Sequence, residues 1–322
     1  MFFRACLILT ITVVLQSGGA AQELCNAVPL GVQVLGSGGP FTSTSRASSG
    51  YLVWREGRAV VMVDVGGGTA VRFGEAGARL ADLSLLAISH LHPDHVSDLP
   101  ALMWLSDLVR QRPLSVAGPS AGRQFPSIDT FITRLFSSNV GAFPILSGAL
   151  HQTGRGIPLD VVVVDVAAID QTTVLNEDDL HVTAIGVPHG PVDVPEASVP
   201  SVAYRVQVGE RSVVFSSDQN GMDERFVSFS MGVDVLVMHF AVSTEATEAR
   251  RQLHATPAIV GQIARDAQVG RLILSHVTEP PAEVPQRESF SGPRLDQNVA
   301  VVREIFSGPI VVAEDLKCVV VQ

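Results

Sequence analysis

The sequence predicts a mixed α/β fold, on three observations. Short β-branched segments that end in Gly, Ser or Asp recur along the chain, which is typical of buried strands. Segments of helical periodicity lie between several of them, and this alternation indicates β-α units. Segments 202–208 and 212–216, separated by Gly209 and Glu210, form a hairpin-like pair, so antiparallel pairing is expected as well. The predicted strands are 32–35, 59–65, 83–89, 161–166, 182–187, 202–208, 212–216, 233–238, 271–275, 309–313 and 318–321, and the predicted helices are 96–108, 120–136, 256–267 and 295–306.

The composition indicates a folded, acidic chain. Of the 322 residues, 46% are hydrophobic and 17% are charged, which supports a large core and excludes a disordered chain. Lys317 is the one lysine, and no Gly-rich loop precedes it, so a P-loop nucleotide site and a lysine Schiff base are excluded. The formal net charge of −10 is expected to repel nucleic acid, so we expect no nucleic-acid partner.

The first 21 residues have the composition of a secretory signal peptide. Arg4 supplies the initial positive charge, residues 5–15 are apolar, and residues 18–21 are small. The apolar stretch is too short to span about 30 Å of hydrocarbon as a helix. We therefore expect a signal peptide over residues 1–21, a single domain over residues 22–322, no stable membrane anchor, and a periplasmic or secreted protein.

Two cysteines remain after removal of the signal peptide, Cys25 and Cys318. In an oxidising compartment an even pair favours a disulfide, and two unrelated buried thiols are the alternative. Cys25 precedes the first predicted strand and Cys318 begins the last. A sheet that places these strands side by side would bring the chain ends together, so we predict that the two cysteines are bonded.

Two pairs of segments resemble each other. Segment 58–67 resembles segment 211–221, each a buried strand that leads to Asp, and segment 83–90 resembles segment 271–276, each a strand that ends in Ser-His. Two similar halves that share one site would produce this similarity. Chance similarity between hydrophobic strands would produce it as well.

The strongest chemical signal is the motif H-L-H-P-D-H over residues 90–95, between a predicted strand and a helix. Composition gives such an H-x-H-x-D-H pattern in a chain of this kind with a probability of roughly 4 in 10,000. A strand-to-helix turn presents alternating side chains to one place, so His90 and His92 can bind one ion while Asp94 and His95 bind a second. Imidazole and carboxylate ligands suit Zn²⁺, with Mn²⁺ or Fe as competitors.

Further candidates lie where other predicted strands end. His189, Asp218 and His276 are the candidate ligands, and Asp218 is placed to bridge two ions. Asp64 and His239 also follow strands, and we expect them to orient ligands rather than to bind metal. Together these side chains predict a site with two metal ions at one edge of the sheets.

The order of these motifs resembles that of the metallo-β-lactamase superfamily of dinuclear metal hydrolases. The resemblance covers nearly the whole mature chain. Segment 35–40 (L-G-S-G-G-P), segment 215–218 (F-S-S-D), the box H-A-T at 254–256 and segment 274–276 (L-S-H) are similar to the ribonuclease Z branch and its exported arylsulfatase-like relatives.

This resemblance implies a four-layer αββα sandwich over residues 22–322, as a single metallo-hydrolase domain. It implies two zinc ions per chain, with Asp218 shared between them. The first ion is assigned to His90, His92 and His189, and the second to Asp94, His95 and His276. By the same resemblance, His254 acts on the leaving group as a general acid or as an oxyanion partner.

One departure from ribonuclease Z shapes the functional hypothesis. The tRNA-processing enzymes carry a flexible arm, rich in Gly and basic residues, between the third ligand histidine and the bridging Asp. Here His189 and Asp218 are 29 positions apart, and residues 191–201 contain no Lys or Arg. This difference favours a small anionic substrate.

We therefore expect an exported dinuclear zinc hydrolase that cleaves small sulfate or phosphate esters, similar to an arylsulfatase or phosphodiesterase. Asp94 is expected to orient the attacking hydroxide, His254 to assist the leaving group, and Arg46 to bind a sulfate or phosphate oxygen. The alternatives are tRNA 3′-processing activity of the ribonuclease Z type, lactonase or β-lactamase activity, and a non-catalytic exported metal-binding protein.

Overall fold

The structure is a computed structural model that describes residues 25–43, 45–104, 106–191, 198–278 and 293–322. The predicted signal peptide lies outside these residues. The strands are β1 Leu30–Gly36, β2 Gly50–Arg55, β3 Arg58–Val63, β4 Leu85–Ala87, β5 Leu114–Pro119, β6 Leu159–Val164, β7 Thr172–Glu177, β8 Leu180–His189, β9 Val199–Val208, β10 Arg211–Phe215, β11 Val235–His239, β12 Leu272–Ser275, β13 Ile310–Val312 and β14 Cys318–Val320. The α-helices are α1 Thr69–Glu75, α2 Pro93–Val96, α3 Leu99–Met103, α4 Ser106–Val109, α5 Ile128–Phe136, α6 Glu224–Phe229, α7 Glu248–Arg251, α8 Pro257–Asp266 and α9 Pro293–Ile305. Short 3₁₀ helices cover Cys25–Ala27, Leu80–Asp82 and Pro144–Leu150.

The strands form two seven-stranded mixed sheets. The first sheet has the order β14-β1-β2-β3-β4-β5-β6, and the second has the order β13-β12-β11-β10-β9-β8-β7. Read from β14 in the first sheet and from β7 in the second, three antiparallel pairings are followed by three parallel ones. The two sheets therefore share one pattern of strand pairing, called the shared topology below, although β14 comes last in the chain and β7 precedes β8.

Three hydrophobic clusters separate the layers. The inner cluster joins the facing sides of the two sheets, for example through Val53 of β2 and Val182 of β8. A second cluster packs α1, α3 and α5 on the outer side of the first sheet. A third packs α6, α8 and α9 on the outer side of the second sheet. This four-layer αββα sandwich confirms the predicted fold class. Within the described residues, none of the helices has the length and apolar character needed to cross a membrane.

The eleven predicted strands all occur, with shifted ends, and three strands were not predicted. The missed strands are β2, which follows a Gly/Ser-rich loop, β5, which ends in Gly-Pro, and β7, a polar strand at a sheet edge. These strands were not predicted because turn-forming residues lie next to them and their apolar pattern is weak.

Two predicted helices are wrong in extent. Segment 96–108 is divided into short helices, because Pro100 lies in the first turn of α3 and Trp104 is extended at its end. Segment 120–136 is helical only from Ile128, after the N-cap residue Ser127, and the part before it forms a loop. Segment 256–267 matches α8, with Thr256 as N-cap and Pro257 in the first turn.

The predicted similarity between the two halves joins corresponding strands for one pair of segments. For the other pair it joins strands that do not correspond. β3 and β10 occupy corresponding places in the two sheets, as segments 58–67 and 211–221 predict. Segment 83–90 contains β4, whose counterpart by topology is β11, whereas segment 271–276 contains β12. The second resemblance therefore joins strands that are one position apart in the shared topology.

The disulfide between Cys25 and Cys318 is confirmed. Strand β14 pairs antiparallel with β1, with Gln33 opposite Cys318, and the Cα atoms of the two cysteines are 5.3 Å apart. The first and last described strands are thus neighbours in one sheet, and the bond fixes that edge of the sheet covalently.

Candidate metal centre

The predicted ligand residues converge at the strand ends between the two sheets. The motif at 90–95 follows β4 and enters α2, His189 ends β8, Asp218 lies shortly after β10, and His276 follows β12. The backbone at Ser217 and His276 has positive φ values of 59° and 56°. Residues other than Gly rarely adopt this conformation, and such strain is concentrated at functional sites.

One group of side chains surrounds Oδ2 of Asp218. His90 Nε2 and His189 Nε2 lie 3.7 Å and 3.6 Å from this oxygen. His92 Nδ1 lies 3.0 Å from His90 Nε2 and 3.4 Å from His189 Nε2. The three nitrogens and the carboxylate oxygen can therefore face one ion.

A second group uses the same carboxylate. His95 Nε2 is 3.8 Å from Asp218 Oδ2, and His276 Nε2 is 3.5 Å from Asp218 Oδ1. Asp94 Oδ2 lies 3.6 Å from both of these nitrogens. His239 also belongs to this group by distance, but its Nδ1 is only 2.6 Å from Asp218 Oδ1, which is a hydrogen bond. We therefore place His239 behind Asp218 rather than on the metal.

The spacing of these atoms fits metal ions. Two ligands of one tetrahedral zinc, each at about 2.0–2.1 Å, lie about 3.4 Å apart. The separations of 3.5–3.8 Å between Asp218 and the four histidines are near this value and too long for good hydrogen bonds. Within the described residues, the buried atoms His95 Nε2 and His276 Nε2 also have no hydrogen-bond partner. Such orphaned nitrogens fit a metal ion.

The second nitrogen of each buried candidate ligand is fixed by the protein. The bonds are His95 Nδ1 to Asp64 Oδ2 at 2.8 Å, His276 Nδ1 to Ser49 Oγ at 2.6 Å, His189 Nδ1 to the Leu253 carbonyl at 2.9 Å, and His90 Nδ1 to Ser89 Oγ at 3.1 Å. Ser89 also donates to both oxygens of Asp64. Partners of this kind set the tautomer and orientation of metal-binding histidines. Asp64 lies behind His95, and its role in orienting a metal ligand stays a prediction.

Protonation favours metal binding at most of these positions. Burial, with repulsion between the histidines, holds the pKa of His90 and His276 well below the usual value, and burial lowers the pKa of His189 to about 3. Burial works against ionisation of Asp218, but the histidines around it hold its pKa well below the usual value. The neutral imidazoles and the ionised carboxylate are the forms that bind metal.

His95 differs from the other histidines. Burial lowers its pKa, but attraction by Asp64 and Asp94 outweighs burial and raises the pKa to about 9. A metal ion at this position must therefore displace a proton.

His254 lies beside the first group, with its ring centroid 5.2 Å from that of His189. Its Nδ1 is 3.9 Å from Asp218 Oδ2, and this buried atom has no hydrogen-bond partner among the described residues. Burial lowers its pKa to about 4, so the imidazole is neutral at pH 7. His254 is therefore free to form a hydrogen bond with a group that enters the site.

Arg46 is part of a loop network. Its Nη1 donates to Ser37 Oγ and to the Ala313 carbonyl, each at 2.7 Å. These bonds tie the loop after β1 to the segment after β13. A contact between Arg46 and substrate stays a prediction.

Several contributing residues were not predicted. Ser49, Ser89 and the Leu253 carbonyl orient histidines. Ser89 directly precedes the motif at 90–95 and Leu253 directly precedes His254, but a serine or a backbone carbonyl is not by itself a recognisable part of a metal site. Phe125 packs edge-on against His92, with ring centroids 5.5 Å apart. The position of Phe125 depends on the loop before α5, a segment that was predicted to be helical.

Comparison with known proteins identifies the class. A family model described as Beta-lactamase superfamily domain matches residues 133–277, and one described as Anti-Pycsar protein Apyc1 matches residues 30–123. The chain is 27% identical over 311 residues to ribonuclease Z of Thermobifida fusca, covering 89% of this chain and 93% of that protein. It is 29% identical over 313 residues to ribonuclease Z of Haloferax volcanii, covering 87% and 92%. The crystal structure of the short form of human tRNase Z has a TM-score of 0.66 at 19% identity, covering 91% and 99%.

The fold and the site define a metal-dependent hydrolase with an αββα sandwich. The Beta-lactamase superfamily domain match, the relatives that align along most of both chains and the shared fold confirm the predicted resemblance to the metallo-β-lactamase superfamily. The prediction of a metal-dependent hydrolase that acts on ester bonds is confirmed as well.

Two predictions about the substrate are wrong. An arylsulfatase-like activity on small sulfate or phosphate esters is overturned by relatives named ribonuclease Z, which align along most of both chains. The expectation that nucleic acid is excluded is overturned by the same relatives. The ligand set does not distinguish a small ester from a polymer, and a net charge averages over the whole surface instead of describing the site.

Proposed function

We propose that this protein is a metal-dependent phosphodiesterase of the ribonuclease Z type, with RNA as its substrate. The observation that carries the proposal is the Asp218 carboxylate, which lies 3.5–3.8 Å from four histidine nitrogens divided between two groups. Two adjacent ions are suited to an in-line displacement at phosphorus. The substrate class is supported by the relatives named ribonuclease Z.

We propose zinc as the metal, with two ions per chain. Three imidazoles and a shared carboxylate suit zinc better than a hard cation such as Mg²⁺. One ion would be held by His90, His92, His189 and Asp218, and the other by Asp94, His95, His276 and Asp218. Bound zinc supplies a lower pKa for the attacking water and polarises a phosphoryl oxygen.

The protein's own groups orient the reactants. Asp94 and Asp218 accept hydrogen bonds from the attacking water and fix its direction. His254 contacts the leaving oxygen, because its unpartnered Nδ1 faces the same centre. The negative charge of a bound phosphodiester would oppose the burial that lowers the pKa of His254, which favours delivery of a proton to the leaving oxygen as the bond breaks.

The surroundings of the first metal group can accommodate a nucleotide. A turn in which Gly122 N–H donates to the Phe125 carbonyl places Phe125 beside His92. The same turn borders a cavity of about 550 Å³, lined also by Pro188, Ser201 and Met222, which is large enough for a nucleotide next to the scissile phosphate. An aromatic ring at this point can stack on a base.

Positive charge is available near the site despite the acidic chain. Arg250 and Arg251 lie in α7, just before His254, and Arg250 is near enough to contribute to lowering the pKa of His254. Arg123 is exposed in the turn that carries Phe125. These side chains can contact phosphates on either side of the scissile bond.

Export remains part of the proposal. The signal-like composition of residues 1–21 supports it, and so does the disulfide between Cys25 and Cys318, since such bonds persist in oxidising compartments. We therefore propose RNA outside the cytoplasm as the substrate. Cell fractionation with N-terminal sequencing of the recovered protein tests this, and an uncleaved cytoplasmic protein would contradict it.

The activity is tested with zinc-loaded protein and a 5′-labelled single-stranded RNA, alongside a precursor tRNA transcript. We expect cleavage whose products carry no 2′,3′-cyclic phosphate, because water attacks rather than the 2′-hydroxyl. An Asp218→Asn variant prepared identically serves as the control against contaminating nucleases and should be inactive. Protein that holds two zinc ions per chain and leaves both RNAs intact would overturn the proposed function.

A further inference from the structure

The chain contains two tyrosines, Tyr51 and Tyr204, and both are fully buried in the core between the sheets. They lie on corresponding strands, since β2 and β9 are the antiparallel neighbours of β3 and β10 in the shared topology. Tyr51 is opposite Val63, and Tyr204 is opposite Phe215. A buried phenol hydroxyl needs a hydrogen-bond partner, so the partners show what each tyrosine supports.

The partners of the two hydroxyls differ. Tyr204 donates to the Ile88 carbonyl at 2.8 Å, a contact with backbone. Tyr51 donates to Ser275 Oγ at 2.9 Å, and its oxygen is 3.3 Å from His239 Nε2. His239 and Ser275 are register partners on β11 and β12, so both reach the Tyr51 hydroxyl from one side.

The hydrogen bonds of His239 determine how Tyr51 can act on it. His239 Nδ1 is 2.6 Å from Asp218 Oδ1, and an ionised carboxylate can only accept. Nδ1 therefore carries the proton, and in the neutral imidazole Nε2 offers a lone pair towards Tyr51. The Tyr51 hydroxyl, which donates to Ser275 Oγ at 2.9 Å, also faces this nitrogen at 3.3 Å, so its one proton lies between two acceptors.

The same hydroxyl is near the support of a second candidate ligand. Ser49, whose Oγ is 2.6 Å from His276 Nδ1, is close enough to affect the pKa of the Tyr51 phenol. The direct link from the phenol is to Asp218, through His239. In the described residues, Tyr204 has no corresponding side-chain link to a candidate ligand.

We propose that Tyr51 is a positioning residue that holds His239 in the orientation that directs Asp218 to the second metal ion. This inference rests on the metal-binding part of the proposed function and not on the RNA substrate. Loss of the hydroxyl leaves Asp218 in place but allows His239 behind it to rotate. The consequence is weaker and less well-defined coordination of one ion.

The test compares Tyr51→Phe with Tyr204→Phe, because each variant removes one buried phenol hydroxyl from corresponding strands. Zinc affinity is measured by competition with a chromophoric chelator, and coordination is followed by the visible spectrum of the cobalt-substituted protein. We expect Tyr51→Phe to weaken one of the two sites about tenfold and to change the cobalt spectrum. Tyr204→Phe should lower the urea midpoint of the metal-free protein but keep wild-type zinc affinity and spectrum.

A double variant tests the route through His239. If Tyr51 acts on Asp218 through His239, the loss of zinc affinity caused by Tyr51→Phe should be smaller in a His239→Ala background than in wild type.

Ser275→Ala provides a milder variant in case Tyr51→Phe folds poorly. It removes one hydrogen-bond partner of the Tyr51 hydroxyl and should weaken the same zinc site. The inference would be overturned if Tyr51→Phe kept the zinc affinity and cobalt spectrum of the wild type. If that variant does not fold, the same result in Ser275→Ala would overturn it. So would an equal loss of affinity in Tyr204→Phe. None of these readouts uses RNA cleavage, so this inference and the proposed function can fail separately.

Discussion

Asp218 is the residue on which both metal groups depend, because its two oxygens face histidines of each group. Asp218→Ala should therefore leave fewer than one zinc ion per chain. The His254→Ala variant should retain two zinc ions per chain, because His254 belongs to neither of the two ligand groups. Metal content after dialysis, measured by mass spectrometry on both variants, checks this prediction. Two ions per chain in Asp218→Ala would show that the carboxylate does not bridge.

Phe125 provides a residue-scale test of substrate recognition. Phe125→Ala should raise KM for a short RNA about tenfold, since base stacking on an aromatic ring contributes about 1–3 kcal/mol. KM for bis(p-nitrophenyl) phosphate, a small activated phosphodiester without bases, should change much less. Phe125→Trp serves as the matched control and should retain RNA binding. An equal rise in KM for both substrates would indicate that Phe125 only supports His92.

The sequence predicts the residues that can touch metal better than those that orient them. His90, His92, Asp94 and His95 are adjacent in sequence, so a local pattern identifies them. Ser49 and the Leu253 carbonyl act on histidines 227 and 64 positions away. Packing of the two sheets joins Ser49 to His276, and the loop between α7 and α8 brings Leu253 to His189, so no local sequence pattern points to either group.

At the scale of elements, strands were easier to predict than helices. Buried strands such as β3 and β10 carry continuous apolar runs, which stand out in the sequence. The region between β4 and β5 instead contains short helices separated by turns, and its apolar periodicity does not show where the backbone turns. The metal motif was found regardless, because it depends on the turn after β4 and not on the length of the helix that follows.

The disulfide joins the elements at the two ends of the described chain. It closes a loop of 293 residues between the edge strand β14 and its neighbour β1. Replacing both cysteines by serine should lower the free energy of unfolding by about 3–5 kcal/mol, mainly because the unfolded chain gains freedom. Zinc content should be unchanged, since the bond is not among the candidate ligands. Urea unfolding with metal analysis of the same samples checks this, and an unchanged urea midpoint would contradict it.

At the scale of the whole molecule, two sheets of equal topology enclose one site. The first sheet contributes the motif at 90–95, and the second contributes His189, Asp218 and His276. The site therefore forms only when both halves pack. This arrangement explains why net charge was a poor guide to substrate: the acidic surface belongs to the whole molecule, whereas the site is a buried group of histidines between the halves.

Burial of these histidines makes the stability of the metal-free protein depend on pH. In the folded protein the pKa of His189 is about 3 and that of His254 is about 4, and those of His90 and His276 are also lowered, against an ordinary value of 6.5. The unfolded chain therefore binds more protons below pH 6.5, and the free energy of unfolding falls as pH falls. His95 acts in the opposite direction, because its raised pKa of about 9 contributes stability below that value.

Five histidines with a lowered pKa, His92 included, outweigh one with a raised pKa, so we expect the metal-free protein to lose stability between pH 7 and pH 5. The loss is about 2 kcal/mol for each of His189 and His254, whose folded pKa values lie below pH 5, and His95 offsets it in part. Urea unfolding of the dialysed, metal-free protein at both pH values measures it. His254→Gln removes one lowered group and should reduce the difference between the two pH values by about 2 kcal/mol. A free energy of unfolding that is the same at pH 5 and pH 7 would mean that these histidines are not held neutral in the folded site.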